Sequence, residues 1–187
     1  MARPRGFDEG EALTAAMMLF WRHGYGATTY RLIERETGIG LRSLHNTFGE
    51  KDALFARALR LYRDMAAGVL EAVFAEPGRA AIVALFEGMV AEAPAEDPAN
   101  MGCLMVATVF EVGEPPEAVA AEIAAYREMF RARFEAALRA DGIEGAEERS
   151  EFLVGALWGV LSQIRLARRT TAGAPAAKVV VETVRGW

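Results

Sequence analysis

Cysteine occurs once among the 187 residues, at Cys103. That excludes an intramolecular disulfide framework and a thiolate zinc cluster. Histidine occurs twice, as His23 and His45, too few for a multi-histidine metal site. No metal and no other cofactor is therefore expected. No stretch approaches the roughly 18 consecutive apolar residues of a membrane-spanning helix. The segment Met1 to Asp8 is basic and leads into an acidic stretch, unlike a secretory signal. The expected location is the cytoplasm, with no membrane partner. Lysine is scarce: Lys51 and Lys178 are the only two among 21 basic residues. Strand signals are scarce as well, the β-branched run Val179-Val180-Val181 being short.

What remains is a chain with 52% hydrophobic and 25% charged residues, the composition of a protein that buries a core. The net charge of -5 argues against a nucleic-acid partner when taken over the whole chain. Its distribution argues otherwise. Residues 1–63 carry 10 Lys+Arg and 7 Asp+Glu, a net +3, and residues 64–187 carry the remaining 11 and 19, a net -8. A basic N-terminal unit on an acidic body is the charge pattern of a nucleic-acid module fused to something else.

The chain reads as all-α, with about nine helices. Asp8 with Glu11 three residues on has the form of a capped helix start. Leu13, Ala16, Met17 and Phe20 follow as a buried stripe, and Gly24 and Gly26 end the helix. Thr28 and Thr29 cap a second helix running to about Thr37, with Leu32 and Ile33 inward. Gly38 supplies a tight turn. A short third helix covers about Leu41 to Thr47, and a long amphipathic one runs from about Glu50 to Ala75. Further helices are expected over about 79–93, 101–112, 116–140, 147–170 and 175–185. Residues 94–100 read as a loop from their proline and acidic content.

The segment from Thr28 to Phe55 carries the sharpest signal. Two short helices around a glycine turn have helix-turn-helix spacing, although the same pattern occurs in ordinary helical bundles. Ile33, Ile39, Leu44 and Phe48 are placed to pack against Phe20 and Leu54. The third helix then turns Leu41, Arg42, Ser43, His45 and Asn46 outward, as a helix entering a major groove does. Arg42 suits guanine, Asn46 adenine, Ser43 a base or a phosphate, and Leu41 a thymine methyl. Helix N-termini near Thr29 and Lys51 suit phosphates.

The stretch Thr28–Phe55, Thr-Thr-Tyr-Arg-Leu-Ile-Glu-Arg-Glu-Thr-Gly-Ile-Gly-Leu-Arg-Ser-Leu-His-Asn-Thr-Phe-Gly-Glu-Lys-Asp-Ala-Leu-Phe, resembles the DNA-binding domain of TetR-family transcriptional regulators. Leu19 to Thr29 resembles the end of that family's first helix, and Arg3 to Asp8 a basic arm found in one branch. The resemblance covers the first third of the chain. It implies a three-helix DNA-binding domain over 1–50 and a larger regulatory and dimerisation domain over 51–187, with 51–75 as the connecting helix. It implies a homodimer, most simply a repressor released from a palindromic double-stranded DNA operator by a small molecule whose identity stays open. Carried over position by position, it adds Arg3, Arg5, Tyr30 and Arg31 to Thr29, Leu41, Arg42, Ser43, Asn46 and Lys51 as DNA contacts. His45 stands where the family usually has tyrosine. Arg42 stands where many members have proline, glycine or alanine.

In the body, Phe152, Gly155, Ala156, Gly159, Val160, Ser162 and Gln163 recur at helical spacing, with small residues that allow close helix approach. This stripe fits a dimer interface or packing within one protomer. Phe86, Met89, Val90, Met105, Val109, Phe110, Tyr126, Met129, Phe130 and Trp158 are candidates for an apolar ligand pocket, or equally for core. Cys103 joins that set. Its Gly102-Cys103-Leu104 segment resembles one found in a branch of the family, so a redox or electrophile sensor stands beside a buried structural thiol. An all-helical enzyme or a helical adaptor without DNA binding are the remaining readings. No motif with catalytic spacing supports the former, since Cys103 and His45 fall in different domains.

Overall fold

The structure is a computed structural model that describes residues 7–187. Among them are nine α-helices, two short 3₁₀ turns and no strand. The helices are α1 (Glu9–Ala27), α2 (Tyr30–Thr37), α3 (Leu41–Phe48), α4 (Lys51–Val73), α5 (Arg79–Met89), α6 (Leu104–Glu111), α7 (Glu117–Ala140), α8 (Ala146–Ala167) and α9 (Ala174–Gly186).

Local chemistry explains the starts and stops. The Asp8 side chain accepts the Glu11 amide at 2.8 Å, and Thr29 accepts that of Leu32 at 3.1 Å, so each satisfies a first-turn donor that the helix cannot. Gly38 ends α2 in the left-handed region, at φ 71, where a side chain would be strained. Gly24 does not end α1 as expected. It kinks it, at φ 85, and helical geometry resumes as far as Ala27. The Thr28 hydroxyl is buried beneath the kink and donates to the carbonyls of Gly24 (2.7 Å) and Leu19 (3.2 Å).

Three expected helices are shorter than the sequence suggests. The segment 79–93 is helical only to Met89, and 101–112 only from Leu104. The segment 94–100 is not wholly irregular, because Pro98–Met101 forms a 3₁₀ turn whose start is capped by Asp97. Gly102 then turns the chain at φ 69. A Cβ there would stand 2.8 Å from the backbone nitrogen of Arg165 on α8. Residues 168–173 leave the helix too, through Arg168 at φ 53 and a 3₁₀ turn over Thr170–Gly173.

The helices α1, α2, α3 and the start of α4 close around Phe20, Ile33, Leu44, Phe48, Leu54 and Phe55, all buried. Phe20 meets Phe55 with ring centroids 4.6 Å apart. The long α4 continues into the body, where α5, α7, α8 and α9 pack around Phe86, Phe134, Leu157 and Val184. Glu122 of α7 is buried and fastens α4 to α7. It accepts from Arg60 at 2.8 Å and from Arg63 at 2.6 Å. One carboxylate held by two guanidinium groups is a form in which burial of charge is tolerated.

Candidate functional site

The exposed surface of α3 is built by subtraction. Leu44 and Phe48 are buried against the unit's core, which leaves Arg42, Ser43, His45 and Asn46 exposed on the opposite side. Leu41 is half-buried rather than fully outward. No residue at the start of α3 caps it with its own side chain, since its N-cap is Gly40. The cap comes from α2: the Glu34 carboxylate accepts the Leu41 amide at 3.0 Å. The far end is held by Arg57 of α4, which donates to the Thr47 carbonyl at 3.3 Å and lies 4.8 Å over the Phe48 ring. Neither Glu34 nor Arg57 was singled out from the sequence. A glycine where a side-chain cap would ordinarily stand was the available signal for the first.

The other expected contacts fall into two groups. Thr29 and Arg31 are exposed beside α3, and the Thr29 hydroxyl remains free to donate because the backbone uses it only as an acceptor. Tyr30 and Lys51 are instead turned inward. The Tyr30 hydroxyl donates to the Gly49 carbonyl at 2.7 Å, and its ring stacks on His45 at 4.1 Å. Burial, then Glu50, pushes its hydroxyl up to about 12. Its proton is therefore committed to the protein. The Lys51 ammonium lies 4.1 Å over the Tyr25 ring and 3.5 Å from the Gly26 carbonyl. Burial lowers its pKa, against the opposing pull of Glu111 and Asp52. Arg3 and Arg5 lie outside the described residues.

The joint between this unit and the body is polar and specific. Glu111, the last residue of α6, accepts the backbone amides of Tyr25 (2.9 Å) and Gly26 (2.7 Å). Gly24 permits that approach, since a Cβ would meet a Glu111 oxygen at 2.5 Å. Tyr25 in turn donates its hydroxyl to Asp52 at the start of α4. That bond, and secondarily burial, pushes the Tyr25 hydroxyl up to about 12. At the other end of α6, the Trp21 indole donates to the Gly102 carbonyl at 2.8 Å, and Arg165 donates to the Trp21 carbonyl at 2.7 Å.

A cavity of about 690 Å³ opens in the body between α4, α5, α7 and α8. Trp21 and Gly102 form part of its wall, beside Tyr62, Met65, Val69 and Leu70. Of the expected pocket residues, Met89, Tyr126 and Phe130 line it. The others do not. Phe86 is wholly buried and stacks on Phe134 in the core. Met105 is buried behind the wall, and Val90 packs toward Gly173. Val109 and Phe110 are exposed, the latter by 73%, while Leu104, Met105 and Val106 at the start of the same helix are buried. Met129 and Trp158 are half-buried off the cavity. Cys103 is 1% exposed and also behind the wall, where its thiol donates to the Tyr126 hydroxyl at 3.3 Å. Burial, then this sulfur, holds the hydroxyls of Tyr62 and Tyr126 well above their ordinary value. A thiol this enclosed lacks the access that a sensor requires.

Along α8, Phe152, Gly155, Gly159 and Gln163 are exposed, and Ala156 and Ser162 half-buried. Val160 is an exception: it is fully buried, and a Cβ on Gly173 would meet it at 2.8 Å, so it packs within the protomer. Leu166 (82% exposed) and, on the neighbouring α9, Val179 (61%) add apolar surface that the sequence pattern did not flag.

An all-α chain whose first three helices form a helix-turn-helix unit has the architecture of a bacterial regulator. The family model described as "Bacterial regulatory proteins, tetR family" matches residues 12–58. Over residues 12–58 the chain thus matches the DNA-binding region of the TetR family. It is 41% identical over 70 residues to the HTH-type transcriptional repressor ComR of Escherichia coli K12, covering 37% of this chain and 33% of ComR. It is 38% identical over 60 residues to the repressor BdcR of the same organism, covering 32% and 30%. The chain thus matches about a third of the length of these curated relatives. Over the whole chain it is similar to a cysteine-substituted form of the TetR family regulator CifR solved with a 26-base-pair operator duplex, at 28% identity, TM-score 0.78 and full coverage of both chains.

Proposed function

We propose that two copies of this chain form a repressor that holds a palindromic operator and releases it when a small molecule enters the cavity. The carrying observation is that Trp21 and Gly102 belong both to the cavity wall and to the joint between the helix-turn-helix unit and the body. A ligand that displaces either residue acts on the seat of α1 and, through α6 and Glu111, on the kinked end of that helix. A ligand shifts such an equilibrium only by binding one arrangement better than the other, and a shared wall supplies that difference.

In this reading residues 1–50 contact DNA, and 51–187 bind the effector and dimerise, α4 joining the two. Arg42, Ser43, His45 and Asn46 meet bases or backbone, and Thr29 and Arg31 meet phosphate. Leu41 offers its half-buried side chain to a thymine methyl. Tyr30 supports His45 by stacking rather than donating its hydroxyl, and Lys51 leaves the Tyr25 ring to reach phosphate. The exposed faces of α8 and α9 close the dimer, burying Phe152, Leu166 and Val179 around Gly155 and Gly159. The relatives lend support: ComR and BdcR are repressors, and CifR has been solved on an operator. A protein that works on bacterial operators acts in the cytoplasm.

The test is selection from random duplexes by the full chain, with sedimentation to read its mass in solution. A dimer should enrich an inverted repeat whose half-sites lie about 34–36 Å apart, or a multiple of that. Arg42→Ala should then lose about 1–3 kcal/mol on that site and relax its preference at one base pair. A monomer, or a pool without an inverted repeat, overturns the proposal.

A further inference from the structure

The cavity wall has an unusual charge balance. Its only ionised residues are Glu92 and Asp97, with no lysine, arginine or histidine among those that line it. Glu92 lies exposed on the segment after α5 and makes no ion pair among the described residues. Asp97 accepts the Ala99 amide on one carboxylate oxygen, at 2.8 Å. Of the side-chain donors of the wall, the Trp21 indole is engaged on Gly102 and the Thr170 hydroxyl on the Ala91 carbonyl at 2.7 Å, while the hydroxyls of Tyr62 and Tyr126 lie beside each other and Cys103. What an incoming molecule meets is apolar surface, the rings of Tyr62, Tyr126 and Phe130, and two carboxylates. Aromatic faces and carboxylates both attract positive charge, and the surrounding residues 64–187 carry a net -8.

Resting on the reading of the cavity as the effector site, we infer that it selects lipophilic organic cations: a bulky apolar or aromatic body bearing an ammonium or delocalised positive charge. The apolar body lies along α4 and against the rings. The charge sits toward Glu92 and Asp97. An anionic molecule of the same shape meets two carboxylates and no compensating cation, so it is excluded by repulsion rather than by size.

Three probes of nearly the same shape test this on the full chain: tetraphenylphosphonium, tetraphenylborate and neutral triphenylmethanol, followed by tryptophan emission because Trp21 is in the wall. The cation should bind at least roughly tenfold more tightly than the anion, and the gap should shrink as salt is raised. The Glu92→Gln/Asp97→Asn double variant should bring the two affinities together while keeping the neutral probe unchanged. Asparagine preserves the cap on Ala99. Gly88→Leu, at a lining position with open space beside it, should weaken all three by filling the cavity. Equal or tighter binding of the anion, or a cation preference untouched by the double variant, overturns the inference while leaving the cavity an effector site. Failure of all three probes to bind overturns both.

Discussion

Replacing Glu111 by alanine should loosen the helix-turn-helix unit from the body without unfolding either. The wild-type carboxylate accepts two backbone amides, at 2.9 and 2.7 Å, from a stretch that follows the left-handed Gly24. Hydrogen bonds to a charged group contribute roughly 1.5–3 kcal/mol each. Both amides here are solvent-accessible in part and regain water when the side chain is lost, so the pair is worth about 2 kcal/mol. If that energy holds the DNA-competent placement of the unit, operator affinity falls by up to roughly 30-fold per protomer. The electrostatic effect has the opposite sign: removing a negative charge near Lys51 strengthens attraction to phosphate. A measured loss therefore reports the placement. Fluorescence anisotropy on the selected duplex gives the affinity, and thermal unfolding gives the fold, with a drop of about 4–8 °C at most. Glu111→Gln, which retains one acceptor, should fall between. Wild-type affinity in the alanine variant would refute the argument that this carboxylate sets the position of the unit.

Three further outcomes follow from the packing. Glu122→Ala leaves Arg63 partly buried without its partner and should cost about 2–3 kcal/mol in denaturant unfolding, less than a fully enclosed pair because Arg60 regains water. Gly102→Ala places a Cβ 2.8 Å from the α8 backbone at a positive φ. It should destabilise by about 3 kcal/mol in the same assay, and a neutral result would show that the α6–α8 approach is looser than described. Cys103, enclosed beneath Tyr126, should react with an aromatic disulfide reagent only as fast as the body opens, and as fast as free thiol in denaturant. Rapid labelling of the native protein would reinstate the sensor reading.

Helix number and type were readable from the sequence because caps and stripes are local. Asp8, Thr29 and Gly38 act on neighbours within four residues, and each does what its chemistry suggests. The outward face of α3 was readable for the same reason, since burying Leu44 and Phe48 determines which way Arg42 and Asn46 turn. The cavity was not. Its wall combines α4, α5, α7 and α8 with the segment 91–102, which is seated by Gly102 abutting α8, a contact between residues far apart in the chain. Phe110 and Phe86 have similar chemistry, yet one is on the surface and one is in the core. Glu111 and Glu122 were equally invisible, because a glutamate on an amphipathic helix ordinarily faces water and only the fold reveals the amides or arginines it meets. Val160 shares a helical stripe with Gly159 but lies on its inner edge.

The capping of α3 by its neighbours has a consequence for how such a protein changes over time. Glu34 secures one end of the helix and Arg57 the other, while Leu44 and Phe48 anchor its underside. Arg42, Ser43, His45 and Asn46 thus have little duty to the fold beyond helix propensity, the stack of His45 on Tyr30 excepted. Substitutions at these four positions can explore new DNA sequences at little risk to stability, so divergence of target sites and conservation of the scaffold can proceed independently.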